Sequence, residues 1–193
     1  VVNYLCLLGW SPKDNRERMP LAEVIERFDL PQILRHNARF DLAKLQWLNG
    51  EYLRELPDDR FYEQCVHAFA RAGVNTDPFP LDYVKAALDT CKGKLKTFTE
   101  VIAYAGFYFR DDVTCDPEAA KKDFIPENKT RLSKLRDAFA AANPFDSETL
   151  EKTLKATAAE LGVKAGVLVH PTRLACTGAT SGPSLYHLLA VLG

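Results

Sequence analysis

Apolar residues return at helical spacing along almost the whole chain, and glycine and proline supply most of the breaks. The pattern is densest in residues 162–193. There Val167, Leu168, Pro171, Leu174 and Ala175 fall at i, i+1, i+4, i+7 and i+8, one face of a helix. Pro171 lies inside that pattern and predicts a kink or restart, because proline lacks a backbone donor and crowds the preceding turn. Residues 177–183, TGATSGP, read as a tight loop of small residues. A second apolar helix follows over 184–192, with Leu185, Leu188, Leu189 and Leu192 in phase. A helix–loop–helix with an arginine beside its loop is a plausible binding tip.

Further upstream the same reading gives more helices. Residues 1–10 form an apolar helix ended by Gly9 and Ser11-Pro12. Pro20 opens a short helix over 21–28, with Leu21, Val24, Ile25 and Phe28 on one face. Asp41 is placed to cap a helix over 42–48 whose Leu42, Leu45 and Leu48 are spaced for burial, and Asn49-Gly50 ends or loosens it. Asp58 or Asp59 caps the next, which buries Phe61, Cys65, Ala68, Phe69 and Ala72 and stops at Gly73. A short helix over 81–90 leads to a basic turn at 91–96. Thr97 and Glu100 have capping-box spacing, opening an aromatic-rich helix to about Phe109. The polar stretch 110–117 is the clearest internal boundary, and helices over 128–142 and 147–161 follow it. Period-2 alternation is nearly absent, so the fold class is all-α with short loops.

Composition adds limits. With 193 residues the chain fits one large domain or two to three small ones. No apolar stretch is long enough for a membrane span, and no signal-peptide pattern is present. Five scattered cysteines without a CxxC pair fit a reducing compartment, and a cytoplasmic location is expected. The net charge of −1 neither requires nor excludes a nucleic-acid partner, since a neutral average can hide a basic face. Residues 1–10 read as the middle of a helix with no cap before it, and Gly193 directly follows another. The sequence therefore predicts a piece of a longer protein.

Catalytic chemistry is poorly supported. His36, His67, His170 and His187 show no zinc-ligand spacing. Asp111, Asp112 and Asp116 lack the glycine and glutamate of a calcium loop and read as a solvated loop. Residues 178–182 resemble a phosphate loop in composition only, because Pro183 stands where Lys-Ser/Thr would follow. The turn carrying Lys92, Lys94 and Lys96 is more informative. It adjoins Phe98, Tyr104, Phe107, Tyr108 and Phe109, a pairing suited to phosphate contact plus base stacking. A solvated turn beside an aromatic core is the equal alternative, Arg173 could be an ordinary surface arginine, and Trp47 and Tyr52 read as core.

Four motifs in order then point to a family. NYLCLLGWSP (3–12) and HNARFDLAKLQWLNGEYLREL (36–56) resemble the segment after the catalytic fold of bacterial-type glutamyl-tRNA synthetases, with Leu53 where isoleucine is usual. KLKTFTEV (94–101) resembles that family's "RVKTLxE", and VKAGVLVHPTRLACTG (163–178) with GPSLYHLL (182–189) resembles its C-terminal anticodon-binding signature. The resemblance implies a helical stem-contact segment over 1–57, then an α-helix-cage anticodon-binding domain with subdomains at 58–114 and 115–193. It implies tRNA(Glu) as partner, a monomeric full-length enzyme and no cofactor in this stretch. ATP and magnesium would serve a Rossmann catalytic domain upstream of Val1, so the parent would be a class I glutamate–tRNA ligase. By motif position, Lys94, Lys96, Arg173, Gly182, Pro183 and Leu185 would meet the anticodon, and Arg35, Arg39, Lys44 and Arg54 the stem. Lys94 replaces the arginine of strictly glutamate-specific enzymes, which changes a planar fork to a point charge. Ala179 stands where relatives often carry arginine, which removes one phosphate contact. The alternatives are a glutaminyl- or mixed-specificity relative and a helical protein-interaction domain that binds no RNA.

Overall fold

The computed structural model describes residues 1–14, 16–34 and 37–193. All regular secondary structure among the described residues is helical, with no strand. They divide into two compact units, Val1–Leu56 and Pro57–Gly193.

The first unit contains α1 (Val2–Gly9), α2 (Leu21–Arg27) and α3 (Leu42–Glu55). Its core is Tyr4, Trp10, Met19, Val24, Leu48 and Leu53. A buried polar knot fixes the connections. The Met19 amide donates to Asn3 Oδ1 (3.1 Å), and the Tyr52 hydroxyl lies 2.7 Å from that oxygen and 2.8 Å from the Met19 carbonyl. The Asp41 amide donates to the Tyr4 hydroxyl oxygen at 2.6 Å, and Asp41 in turn caps α3 by accepting from the Lys44 amide. Two sequence motifs, NYL and NGEY, thus meet through their polar residues.

Several expectations for this unit need correction. Gly50 neither ends nor loosens α3, which runs on to Glu55; Gly50 is buried and keeps a negative φ, whereas a stop needs the left-handed region. The longer helix turns its buried stripe to Leu48 and Leu53, so Leu42 and Trp47 are exposed. Of the α2 face only Val24 is buried; Leu21 and Ile25 are exposed.

The second unit holds α4 (Asp58–Arg71), α5 (Leu81–Lys92), α6 (Val101–Ala105), α7 (Pro117–Asp123), α8 (Pro126–Ala140), α9 (Ser147–Glu160), α10 (Gly166–Thr177) and α11 (Leu185–Leu192). Phe61, Cys65 and Phe69 of α4 are fully buried, and Gly73 reverses the chain at φ 74°. Pro57, not Asp58 or Asp59, occupies the α4 cap. Both carboxylates sit in the first turn, where the helix dipole favours them, and Asp58 pairs with Lys92 at 2.6 Å. The helix α5 continues two residues past Thr90 because Cys91 is a core residue. The capping box at Thr97 and Glu100 forms, but the aromatic helix behind it is broken. It consists of a 3-10 turn (Phe98–Glu100), α6, and a second 3-10 turn (Gly106–Phe109). The break at Ala105 (φ −137°) aims Tyr108 and Phe109 into a ring cluster with Phe69, Phe79 and Tyr83.

Beyond it, α7 is an element without a periodic signal. Its seven residues bury only Ala119, and Asp116 caps it by accepting from the Ala119 amide at 2.7 Å. The helix α10 runs unbroken through Pro171. The missing donor leaves only the Val167 carbonyl unserved by that position, and the buried neighbours Leu168, Thr172 and Leu174 hold the turn in register. In this unit α8 packs on α9 and α10, while α11 packs on both α9 and α5. The C-terminal helix therefore ties residues 147–160 to residues 81–92. No helix among the described residues is long and apolar enough to cross a membrane.

Leu154, fully buried in α9, should be among the most sensitive positions. Leu154→Ala should destabilise the chain by about 2–5 kcal/mol, read by urea unfolding. The Asp146 carboxylate caps α9, and the hydrogen bond from the Thr149 amide holds its pKa below the ordinary carboxylate value. A depressed folded-state value means the cap stabilises the fold above the unfolded pKa and is lost as pH falls through the folded one. Asp146→Ala should therefore lower the melting temperature at neutral pH, with the gap closing as pH falls through the depressed pKa of the cap.

Candidate functional site

The turn after α5 is shaped by an alternation of exposed and buried side chains. Lys94 and Lys96 are exposed, whereas Leu95 between them is fully buried, so the leucine pins the turn and the lysines project outward. The Lys94 amide closes the turn on the Cys91 carbonyl (2.8 Å), and the Lys96 amide donates to Glu100 Oε2 (2.6 Å). Lys92 belongs to the scaffold instead. It pairs with Asp58 and lies over the Phe61 ring, 5.2 Å from its centroid. The aromatic neighbours are divided in the same way. Tyr108 and Phe109 are core, while Tyr104 and Phe107 keep partial exposure.

The loop between α10 and α11 faces this turn. Lys94 Nζ donates to the Gly182 carbonyl at 2.6 Å, and Arg173 donates from a terminal guanidinium nitrogen to the Pro183 carbonyl at 2.6 Å. Lys94, Arg173, Gly182, Pro183 and Leu185, widely separated in sequence, are thus brought together. Pro183 and Leu185 are buried, backbone included, so the exposed part of the loop is carried by Thr180 and Ser181, with Ala179 and Gly182 partly exposed beside them. Arg173 is half-buried, and desolvation pushes its guanidinium pKa below the ordinary value.

The near end of the loop is fixed by Gly178. It adopts the left-handed conformation (φ 72°) that ends α10, and its amide donates to the Leu174 carbonyl. The Asp116 amide donates to the Gly178 carbonyl at 2.9 Å, so the stretch before α7 is laid against the loop. A β-carbon at Gly178 would collide with the Thr114 carbonyl oxygen and sit 2.9 Å from Val113 Cγ1. Beside this join is an open cavity of about 300 Å³ lined by Ile102, Phe107, Arg110, Thr114 and Ala179. The Gly178 join was not anticipated from sequence; Thr-Gly after a helical pattern marks the stop, but not what packs on it. Ser184 precedes α11 and shares a 3.0 Å hydrogen bond with His187 Nδ1.

Of the expected stem residues, Arg39, Lys44 and Arg54 belong to the first unit. Lys44 pairs with Glu17 (2.5 Å) and Arg54 with Glu51. Arg39 is exposed beside an open cavity of about 740 Å³ that Tyr4, Phe40 and Lys44 also line. Arg35 lies outside the described residues.

Nucleophilic chemistry finds no support in the buried thiols. Burial pushes Cys65 and Cys91 up to about 12, far from thiolate at neutral pH. Gly178 should be the most restrictive position in the loop. Gly178→Ala combines a left-handed φ with a backbone collision and should destabilise the second unit by about 2–4 kcal/mol, read by thermal or urea unfolding.

Residues 60–193 match the family described as anticodon binding domain. Across its full length the chain is 35% identical to glutamate–tRNA ligase 2 of Caldicellulosiruptor saccharolyticus, covering 40% of that protein. It is 37% identical to the glutamate–tRNA ligase of Methylacidiphilum infernorum over 99% of the chain and 43% of that protein. The chain thus spans about 40% of the length of the curated relatives it matches, in their C-terminal part. A solved glutamate tRNA ligase from Elizabethkingia meningosepticum superposes on all of the chain with a TM-score of 0.83 at 25% identity, over 38% of its own length. The glutamate-tRNA synthetase of Elizabethkingia anophelis shares the fold, with a TM-score of 0.79 at 23% identity over 37% of that chain.

Proposed function

The chain belongs to the anticodon-binding domain family, and from that premise we propose that it is the tRNA-recognition part of a glutamate–tRNA ligase, selecting tRNA(Glu). The observation that carries this reading is the convergence of Lys94 and Arg173 on the Gly182 and Pro183 carbonyls. Two cations flank a loop whose outer surface is backbone and small side chains. Such a surface suits unstacked bases of a hairpin loop, read on their edges, with phosphates steered by the exposed lysines. On this reading Lys94, Lys96, Arg173, Gly182, Pro183 and Leu185 serve the anticodon. In the first unit, Arg39 is the best stem candidate, because Lys44 and Arg54 are already paired with carboxylates.

Glutamate activation, with its ATP and magnesium, belongs on this reading to a catalytic segment outside these residues. The whole enzyme would act as a monomer in the cytoplasm. The chain on its own should neither adenylate glutamate nor exchange pyrophosphate with ATP, and exchange above background would reveal a missed nucleotide site.

Binding itself is the direct check. Titrating the chain with tRNA(Glu) at several salt concentrations should give a log-log slope of about −2 or steeper, the value for three phosphates on single-stranded RNA. Lys96→Ala should weaken all tRNAs alike and flatten the slope by about 0.7. Absence of binding at low salt would leave a protein-interaction domain as the better reading.

A further inference from the structure

Arg173 touches the loop at both ends. Its carbonyl accepts from the Thr177 hydroxyl at 2.9 Å, where α10 ends, and its guanidinium donates to the Pro183 carbonyl at 2.6 Å, just before α11 begins. Between those points the loop passes close over the side chain. A β-carbon on Gly182 would stand 3.5 Å from the same guanidinium nitrogen. The Thr177 hydroxyl also accepts from the Ala179 amide at 3.2 Å, so the first residues of the loop are tied back to the helix end.

We propose that Arg173 is a positioning residue, which holds residues 178–184 in their RNA-binding shape through the Pro183 carbonyl before any base arrives. The role rests on the anticodon reading above and sharpens it, because the arginine then acts on RNA through the loop and not on a base edge. Burial points the same way. Pro183 is buried, so its carbonyl has little access to water, and removing its donor leaves an acceptor unpaired. Arg173 is half-buried and desolvated, a poor state for a group that must swing out to meet a nucleobase.

Lys94 is built differently. It is exposed, its ammonium carries three donors, and the Gly182 carbonyl takes one of them. Two donors remain for RNA while the loop contact is kept. The two cations, drawn from separate motifs, thus divide the work: Arg173 shapes the loop, and Lys94 closes it and faces the ligand.

The distinction is testable because a lysine at position 173 can donate to one carbonyl but cannot reproduce a planar fork. The probes are a hairpin RNA carrying the glutamate anticodon and its single-base variants, with amide exchange of residues 178–182 and 184 measured in the RNA-free chain. Arg173→Ala should raise loop exchange and weaken every hairpin by a similar factor, about tenfold or more. Arg173→Lys should return exchange and affinity to within about threefold of the unaltered chain, with base preference unchanged. Circular dichroism of both variants should stay helical.

Two results would overturn the role while leaving the anticodon reading intact. One is unchanged loop exchange in Arg173→Ala. The other is Arg173→Lys keeping the loop protected yet losing preference at one base as fully as Arg173→Ala. Failure of the unaltered chain to bind any hairpin at low salt would overturn the role together with the reading it rests on.

Discussion

The close approach of Gly178 to the Thr114 carbonyl is the contact on which the second unit's loop depends. A left-handed residue without a side chain lets α10 stop and lets residues 113–116 lie directly against the stop. The Asp116 amide then satisfies the Gly178 carbonyl, and the Asp116 side chain caps α7. One residue thereby links the loop to the next helix through both its backbone and its carboxylate. From this fixed point the chain reaches Pro183 and enters α11, whose packing on α5 carries the loop toward Lys94. A site assembled from residues so far apart in sequence needs such an anchor, since flexible segments at each end would blur any pattern of donors.

The lysines and arginines separate by what holds them. Lys92 is neutralised by Asp58 and covers Phe61; Lys44 and Arg54 face carboxylates. Lys94 and Arg173 face carbonyl oxygens instead, which accept a hydrogen bond without cancelling charge. Positive potential therefore survives at the loop although the chain as a whole carries a net charge of −1.

Much of this was legible in the sequence where periodicity and caps agree. The helices α4 and α11 follow their apolar spacing except at the exposed Ala72 and Leu192, α8 and α9 form close to their expected ranges, Asp41 caps α3 as its position implies, and the Thr97–Glu100 box forms. What misled was local chemistry overruled by packing. Asn49-Gly50 and Pro171 look like breaks, yet both lie in helices whose flanking residues are buried. The aromatic-rich stretch up to Phe109 looks like one continuous helix, yet the core takes Tyr108 and Phe109 through a 3-10 turn. The short α7 had no apolar stripe to read. At the site, motif positions singled out Lys94, Lys96, Arg173, Gly182, Pro183 and Leu185 as candidates, but only coordinates reveal that Lys94 and Arg173 donate to loop carbonyls. The Asp116–Gly178 join leaves no periodic trace because it is made by backbone atoms.

A crystal structure of this chain bound to a hairpin RNA with the glutamate anticodon would test most directly whether the loop is pinned before and during recognition. The expected result is an Arg173–Pro183 hydrogen bond still near 2.6 Å, Gly178 still left-handed, and bases seated against residues 179–184 with Lys94 reaching the RNA. A guanidinium turned away from the Pro183 carbonyl onto a base edge, with the loop refolded around it, would contradict it.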